Sequence, residues 1–462
     1  MVAKPLKNNA ITEGVIWKQL LIFFFPLLLG AFFQQMYNMA DSIIVGRYLG
    51  KEALSAVGGS TGKIVDVLTY FSVALTTGSS VIIAQYYGAK NYIHTERAVH
   101  TAVTFAALFG LVVTVLGFAL TPAMLKAIDT PDEILKPSIT YLRIYFIGMV
   151  PNLLYNMGAA ILRAIGDSKR PLIFLAITCF LNIIIDLFFV VVLNMGVAGA
   201  AYATVASQFV SALVSTLYFF SGKSQMKWTG MGSLKLSINI DVIKTGMAPA
   251  ILQLLSFITG LILNNQLRKY GDMCSVTGDL AISAMSVVTT AESVFLGVVM
   301  GINQAVSPIV SYNYGAGKYK RVLQGTIIAL ITGTIFTTIS WALMMFVPQY
   351  IFKIFSNDVA LISYGVHAIR LYRAFSMFMA VQTLCAMFFS SIGEPKTATV
   401  MSVLRQGVFL IPGYLILPVF YGLDGVLVSM SISDVLSTII ILVIYILGLR
   451  KLEKKRKEGC YE

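Results

Sequence analysis

Two aspartates lie inside long apolar stretches of this chain, where a charged side chain is costly. Asp186 ends the run Leu181–Asp186, and Asn182 lies one turn earlier on the same helical face. A buried carboxylate beside an amide can hold a proton or a small cation, with an affinity that depends on how dry the site is. The two acids therefore predict an ion-coupling site, in preference to helix-end carboxylates wetted by lipid headgroups. Asp41 shares its face with three polar side chains, Gln34, Tyr37 and Asn38.

The composition indicates which elements must hold these acids. Hydrophobic residues make up 57% of the 462 residues and charged residues only 12%, which is far more apolar than a soluble domain. Runs of about 20 or more apolar residues predict membrane-spanning helices. We therefore predict an all-α integral membrane protein with twelve transmembrane helices. The predicted spans are 17–44, 54–86, 98–122, 138–162, 171–193, 196–221, 241–267, 281–312, 322–350, 361–391, 397–420 and 423–449.

The two halves of the chain repeat each other at a separation of 227 residues. Ala164–Lys169 returns as Ser391–Lys396, and Tyr87–Ala89 returns as Tyr314–Ala316. Because each half has an even number of predicted spans, the second half enters the membrane in the same sense as the first. The internal repeat is therefore parallel, as in transporters whose substrate lies between two bundles.

The basic residues predict the orientation. They concentrate before the first span and in the loops after even-numbered spans, so the positive-inside rule places both termini in the cytoplasm. The formal net charge of +13 reflects this sorting and the run Arg450–Lys457, which we interpret as a topology signal touching anionic lipid rather than as a nucleic-acid site. The predicted domains are an N-terminal six-helix lobe (1–220), a cytoplasmic linker (221–240), a C-terminal six-helix lobe (241–450) and a basic cytoplasmic tail (451–462).

One further acid lies deep in a predicted span. Glu292 is well inside the eighth span and has no evident local partner in the sequence. We predict that it lies in the substrate cavity with Gln34, Tyr37 and Asn38 and attracts cationic substrates, with a structural role as the alternative.

Several motifs together resemble the multidrug and toxic compound extrusion (MATE) family, in its DinF-like branch. They are Met36–Asp41, Arg163–Asp167 with Pro171 soon after, and Leu181–Asp186, in an order and spacing that cover almost the whole chain. The resemblance implies two six-helix lobes forming a V, with alternating access in the cell membrane driven by protons or sodium. It implies a coupling site in the N-terminal lobe and a bend of the first helix at Pro26, where a proline removes a backbone hydrogen bond. The implied coupling residues are Asp41, Asn182, Asp186, Asn156 and Thr204.

The C-terminal half departs from another branch of that family. The NorM branch places coupling carboxylates on the seventh and tenth helices, whereas this chain has Gln253 to Phe257 and Val381 to Thr383 there, without an acid. In the internal repeat, Gly413 also stands opposite Asp186. The resemblance therefore favours a coupling site in the first half alone.

The function implied by the resemblance is secondary active efflux of amphipathic or cationic organic compounds, in antiport with protons or sodium. The alternative within transport is a lipid-linked saccharide flippase of the same wider superfamily, which would need a strongly cationic cavity. An enzyme is disfavoured because clustered ligands or a nucleophile with a base are missing from the sequence. We expect no cofactor, no metal beyond a sodium ion at the coupling site, no nucleic-acid partner, and a monomer in contact with membrane lipid.

Overall fold

The structure is a computed structural model, and it describes residues 14–458 except 129, 222–235 and 275. Its described residues are helical apart from short turns. The first half contains α1 (Ile16–Ser55), α2 (Thr61–Gly88), α3 (Tyr92–Ala127), α4 (Asp132–Ile147), α5 (Met149–Ala164), α6 (Lys169–Asp186) and α7 (Gly196–Phe220). Two π-helical segments, Ala56–Ser60 and Leu187–Val192, follow α1 and α6.

The second half repeats this order. It contains α8 (Leu236–Gly271), α9 (Gly278–Gly315), α10 (Tyr319–Phe346), the short α11 (Pro348–Phe355), α12 (Val359–Tyr372), α13 (Met379–Ser391), α14 (Pro395–Val403) and α15 (Ile411–Glu458). A single 3₁₀ turn, Ser376–Phe378, precedes α13, and a π-helical segment, Leu404–Leu410, joins α14 to α15.

The described helices account for the twelve predicted spans. Eight helical stretches are long and apolar enough to cross a membrane, and two bent pairs, α4 with α5 and α12 with α13, each pass as one broken span. Two of the eight stretches, Ile16–Gly88 with 73 residues and Pro395–Lys454 with 60, far exceed the roughly 20 residues that one crossing needs. Each contains a glycine with non-helical dihedral angles, Gly50 or Gly422, and therefore holds two spans.

The internal repeat extends to individual hydrogen bonds at the ends of α5 and α13. Gly166 and Gly393 both have positive φ, at 99° and 80°, which favours glycine because it lacks a Cβ atom. The next amides close the same turn, from Asp167 to the Leu162 carbonyl at 2.8 Å and from Glu394 to the Phe389 carbonyl at 2.9 Å. This is the pattern of a glycine-terminated helix. The repeated Ile-Gly-acid motif is thus a helix stop used once in each half.

The chain divides into two compact units, Met1–Gly246 and Met247–Glu462, here called the N-terminal and C-terminal units. The division falls inside α8, whose first turns pack on α2. A Cβ atom on Gly78 would lie 2.2 Å from the Val242 carbonyl oxygen, and one on Gly246 would lie 2.4 Å from that of Ala74. Small residues at both positions let the two backbones touch, as is common between membrane helices. Of the predicted linker, residues 222–235 lie outside the described residues, as do 459–462 of the predicted tail.

Candidate functional site

The two predicted acids lie on neighbouring helices of the N-terminal unit. Asp41 is in the middle of α1, and Asp186 is the last residue of α6, directly before the π-helical segment. The two helices pack along each other. Asp41 is 9% exposed and Asp186 is fully buried. π-Helical turns interrupt the regular backbone ladder and occur frequently at functional sites.

The two carboxyl groups lie near enough to interact with each other. Within the described structure, neither oxygen of Asp186 has a hydrogen-bond donor, and Oδ1 of Asp41 has none. A buried carboxylate without donors is strongly unfavourable as a bare anion, so a proton or a cation must neutralise it. The pair is chemically suited to bind one proton or one small cation and to release it again.

Polar side chains from α1, α6 and α7 surround the pair. Tyr37 interacts with Thr204 of α7 and electrostatically with both Asp41 and Asp186. Asn182 is fully buried and donates through Nδ2 to Ser207 Oγ at 3.5 Å, while its Oδ1 has no partner in the described structure. The Asn182 carbonyl oxygen is therefore available to a proton carrier or a cation beside Asp186.

Three other predicted residues, Asn156, Gln34 and Asn38, form their described hydrogen bonds outside this cluster. The Asn156 amide donates to Asn152, to its backbone oxygen at 3.0 Å and to its Oδ1 at 2.9 Å. Gln34 and Asn38 are exposed on α1 and contact each other at 3.5 Å. Their exposure on the face of Tyr37 is consistent with a cavity wall, whereas Asn156 has no described hydrogen bond to either acid.

The structure adds two tyrosines that the sequence analysis missed. Tyr141 and Tyr145 on α4 stack with ring centroids 6.3 Å apart. Tyr141 is 6% exposed and interacts electrostatically with both Asp41 and Asp186. Their spacing of four residues on one helical face was a usable signal. Only the packing of α4 against α1 and α7 shows that this face meets the acids.

Glu292 has no partner near it in the sequence, but the structure gives it a distant one. Its Oε2 pairs with Nη2 of Arg373, which is 1% exposed and lies directly after α12. The two residues are 81 positions apart, and no local pattern links them. The cavity role of Glu292 must therefore be considered together with Arg373.

A second buried ion pair lies close to Arg373. Arg405 Nε donates to Asp434 Oδ1 at 2.8 Å, and Asp434 is fully buried. Gln382 donates to the Asp434 backbone oxygen at 3.0 Å and to the neighbouring hydroxyls of Ser437 and Thr438. Among the described residues, this group in the C-terminal unit consists of two arginines and two acids of balanced charge, in contrast to the acidic pair of the N-terminal unit.

The described residues contain no group of three or more His, Cys, Asp or Glu side chains that could hold a metal ion. A sodium ion at Asp41 and Asp186 would need ligands beyond the two carboxylates. The oxygen atoms of Asn182 and Thr204 lie on the adjoining faces of α6 and α7 and are of the type that hard cations prefer.

The chain matches the sequence model of the MatE family over residues 26–188 and 271–416, which include Asp41 and Asp186. It is 27% identical over 434 residues to a Bacillus subtilis (strain 168) protein named "Probable multidrug resistance protein YpnP", covering 94% of this chain and 95% of that protein. It is 30% identical over 331 residues to "Probable multidrug resistance protein YoeA" of the same organism, covering 70% and 69%. A solved structure described as "Crystal structure of MATE in the bent conformation" has the same fold, with a TM-score of 0.90 at 22% identity over 98% of this chain and 100% of the other.

Proposed function

Because the chain belongs to the MatE family of multidrug transporters, we propose that it exports amphipathic, often cationic organic compounds in exchange for protons or sodium ions. It is a multi-pass membrane protein of the twelve-helix MATE fold and not an enzyme. The relatives named as multidrug resistance proteins support this substrate class. The observation that carries the coupling half of the proposal is the buried Asp41–Asp186 pair.

The coupling mechanism follows from the charge of that pair. Without a bound ion, the two carboxylates repel each other, and in the described structure both oxygens of Asp186 and Oδ1 of Asp41 lack donors. A proton or a sodium ion bound between them removes this repulsion and lets α1 and α6 approach. Release of the ion restores the repulsion and separates the helices, so ion occupancy selects between two arrangements of the N-terminal unit. Substrate is exported if it binds well in only one of them.

We assign the chain to the DinF-like branch of the family. The support is the distribution of acids: the C-terminal unit has Gln382 and Ser256 where the NorM branch has coupling carboxylates. Both side chains form hydrogen bonds within the C-terminal unit. Gln382 donates to the Asp434 backbone oxygen, and Ser256 donates to Gln406 Oε1 at 3.2 Å. The basic loops support an orientation with both termini in the cytoplasm. We further propose that the protein acts as a monomer.

The transport proposal predicts ion-driven dye efflux from sealed vesicles. Purified full-length protein is reconstituted into liposomes, ethidium is enclosed or added, and sodium and proton gradients are imposed separately. We expect one of the two gradients to drive ethidium against its concentration gradient, and the responding gradient identifies the coupling ion. Efflux that neither gradient accelerates over protein-free liposomes contradicts the proposal.

Pro26 offers a test of how α1 moves. The helix runs through Pro26 without a break in its helical dihedral angles, and the missing backbone hydrogen bond makes a bend cheaper at that residue. We expect Pro26→Ala to leave ethidium affinity largely unchanged and to slow turnover about five- to tenfold, which corresponds to an added barrier of about 1 to 1.4 kcal/mol.

The matched control for Pro26 is Pro122→Ala, because Pro122 also interrupts a transmembrane helix, α3, but no acid of the pair lies on that helix. Turnover of the Pro122→Ala variant is expected to remain normal. Unchanged turnover of Pro26→Ala itself removes bending of α1 from the mechanism and leaves a rigid-body motion as the simpler account.

A further inference from the structure

The ion pair between Glu292 and Arg373 joins two residues of very different accessibility. Arg373 is 1% exposed, whereas the Glu292 side chain is 18% exposed. Glu292 lies three residues after Thr289 on α9, at the edge of an exposed face of this helix. That face carries small and polar residues, whereas a face in contact with lipid would be apolar. This polar face of α9 comprises Ser286, Thr289, Thr290, Ser293, Gly297 and Gln304, and the exposed apolar side chain of Val294 borders it. A solute can therefore approach Glu292 from that face, while Arg373 approaches it from the core.

Arg373 has spare bonding capacity on its buried side. Its Nη2 pairs with Glu292, but within the described structure its Nε and Nη1 have no hydrogen-bond acceptor. Arg373 also interacts electrostatically with Asp434, whose Oδ1 is used by Arg405 and whose Oδ2 has no donor. A guanidinium with two free donor groups thus lies within electrostatic reach of a carboxylate with one free oxygen.

The location of Arg373 allows it to move. The residue directly follows α12, where the chain breaks before the Ser376–Phe378 turn and α13, and the two helical parts are bent by 52°. A change in the angle between α12 and the helical part that follows it moves the Arg373 guanidinium, and neither helix has to unwind. Its ring contact with Tyr372, at 4.8 Å, moves with it because the two residues are adjacent.

We infer that Arg373 occupies the organic-cation subsite at Glu292 when no substrate is bound, and that a monovalent lipophilic cation displaces it toward Asp434. The inference rests on the proposed transport function, for which it names a substrate subsite and the residue that controls access to it. After the exchange both carboxylates remain paired, because the cation takes over Glu292 and Arg373 shares Asp434 with Arg405 through its free oxygen, so the bound cation adds one net positive charge to the group. Neutral compounds cannot replace the guanidinium, so the exchange selects for cations.

The exchange predicts a distinctive pattern of binding affinities, measured on the purified full-length protein without any ion gradient. Ethidium serves as the cationic probe and N-phenyl-1-naphthylamine as the neutral one. If Arg373 covers the subsite about nine-tenths of the time, its removal raises apparent ethidium affinity about tenfold. We therefore expect Arg373→Gln to tighten ethidium binding about tenfold, and Glu292→Gln to weaken it by a similar factor. Neither variant is expected to change binding of the neutral probe.

Two further variants separate displacement from simple structural support. Asp434→Asn removes the second position for Arg373, so ethidium binding weakens although Glu292 is intact. In the double variant Glu292→Gln/Arg373→Gln, ethidium affinity is expected to match that of Glu292→Gln alone, because Arg373 acts only through Glu292. Asp279→Asn, an exposed acid in the first turn of the same helix, is the control and is expected to bind ethidium normally.

Weaker or unchanged ethidium binding by Arg373→Gln overturns the inference, as does a parallel change for both probes in any of the variants. If Arg373→Gln fails to fold, Asp434→Asn decides alone, since a loss confined to ethidium supports displacement and a loss of both probes refutes it. The transport proposal is tested independently by ion-driven efflux of the unmodified protein. Efflux with the wrong binding pattern refutes only the displacement, and the expected binding pattern without efflux refutes only ion-coupled transport.

Discussion

Asp41→Asn and Asp186→Asn are each expected to reduce ion-driven ethidium efflux about a hundredfold, near the upper range of measured coupling between sites. Asparagine keeps the shape of the side chain but remains neutral, so the pair can no longer change its charge when the ion arrives or leaves. Membrane insertion is expected to remain normal, because replacing a buried acid by an amide lowers the cost of burial. The measurement is efflux from liposomes under the effective gradient, normalised to the amount of folded protein.

The control for the two aspartates is Glu133→Gln, an exposed acid in the first turn of α4. Its removal is expected to leave efflux unchanged. Normal efflux in either Asp41→Asn or Asp186→Asn shows that the coupling ion binds elsewhere. Loss of ethidium binding without a gradient assigns the altered residue to the substrate site instead.

Breaking the second ion pair of the C-terminal unit is expected to have the largest effect on stability. Arg405→Met leaves the fully buried Asp434 without its donor at Oδ1, and removal of one partner from a buried pair typically costs about 3–5 kcal/mol. We expect a clear fall in the thermal unfolding midpoint of the purified protein. The double variant Arg405→Met/Asp434→Leu is expected to recover most of that loss, because no unpaired charge remains buried.

An exposed ion pair provides the comparison for Arg405. Lys451 Nζ contacts Glu394 Oε1 at 2.7 Å, and its side chain is 62% exposed. Lys451→Met is expected to leave the unfolding midpoint unchanged, since water replaces the lost contact. Equal midpoints for Arg405→Met and the unmodified protein show that Asp434 is neutral or solvated in the native state, which excludes it as the second partner of Arg373.

The boundaries of the spans were predictable, but their breaks were only partly so. Hydropathy located the crossings, because about 20 apolar residues are needed wherever a helix crosses lipid, whatever its neighbours. The sequence analysis separated the first two spans at residues 45–53, whereas α1 continues to Ser55 and only Gly50 departs from helical dihedral angles. A polar loop was expected there, but the backbone can change direction at one glycine while keeping most of its hydrogen bonds.

The sequence by itself determined the twelve spans and the internal repeat, including the repeated glycines Gly166 and Gly393, and it predicted a coupling role for Asp41 and Asp186. Each of these depends on local properties: apolar run length, a conformation that favours glycine, or the cost of an acid in a hydrocarbon setting. Only the tertiary structure decided which distant side chains meet. It brings Tyr141 close to the acidic pair and pairs Arg373 with Glu292. These contacts depend on how the helices pack and on the break after α12. The spacing of residues within one helix does not show which face of a neighbouring helix they will meet.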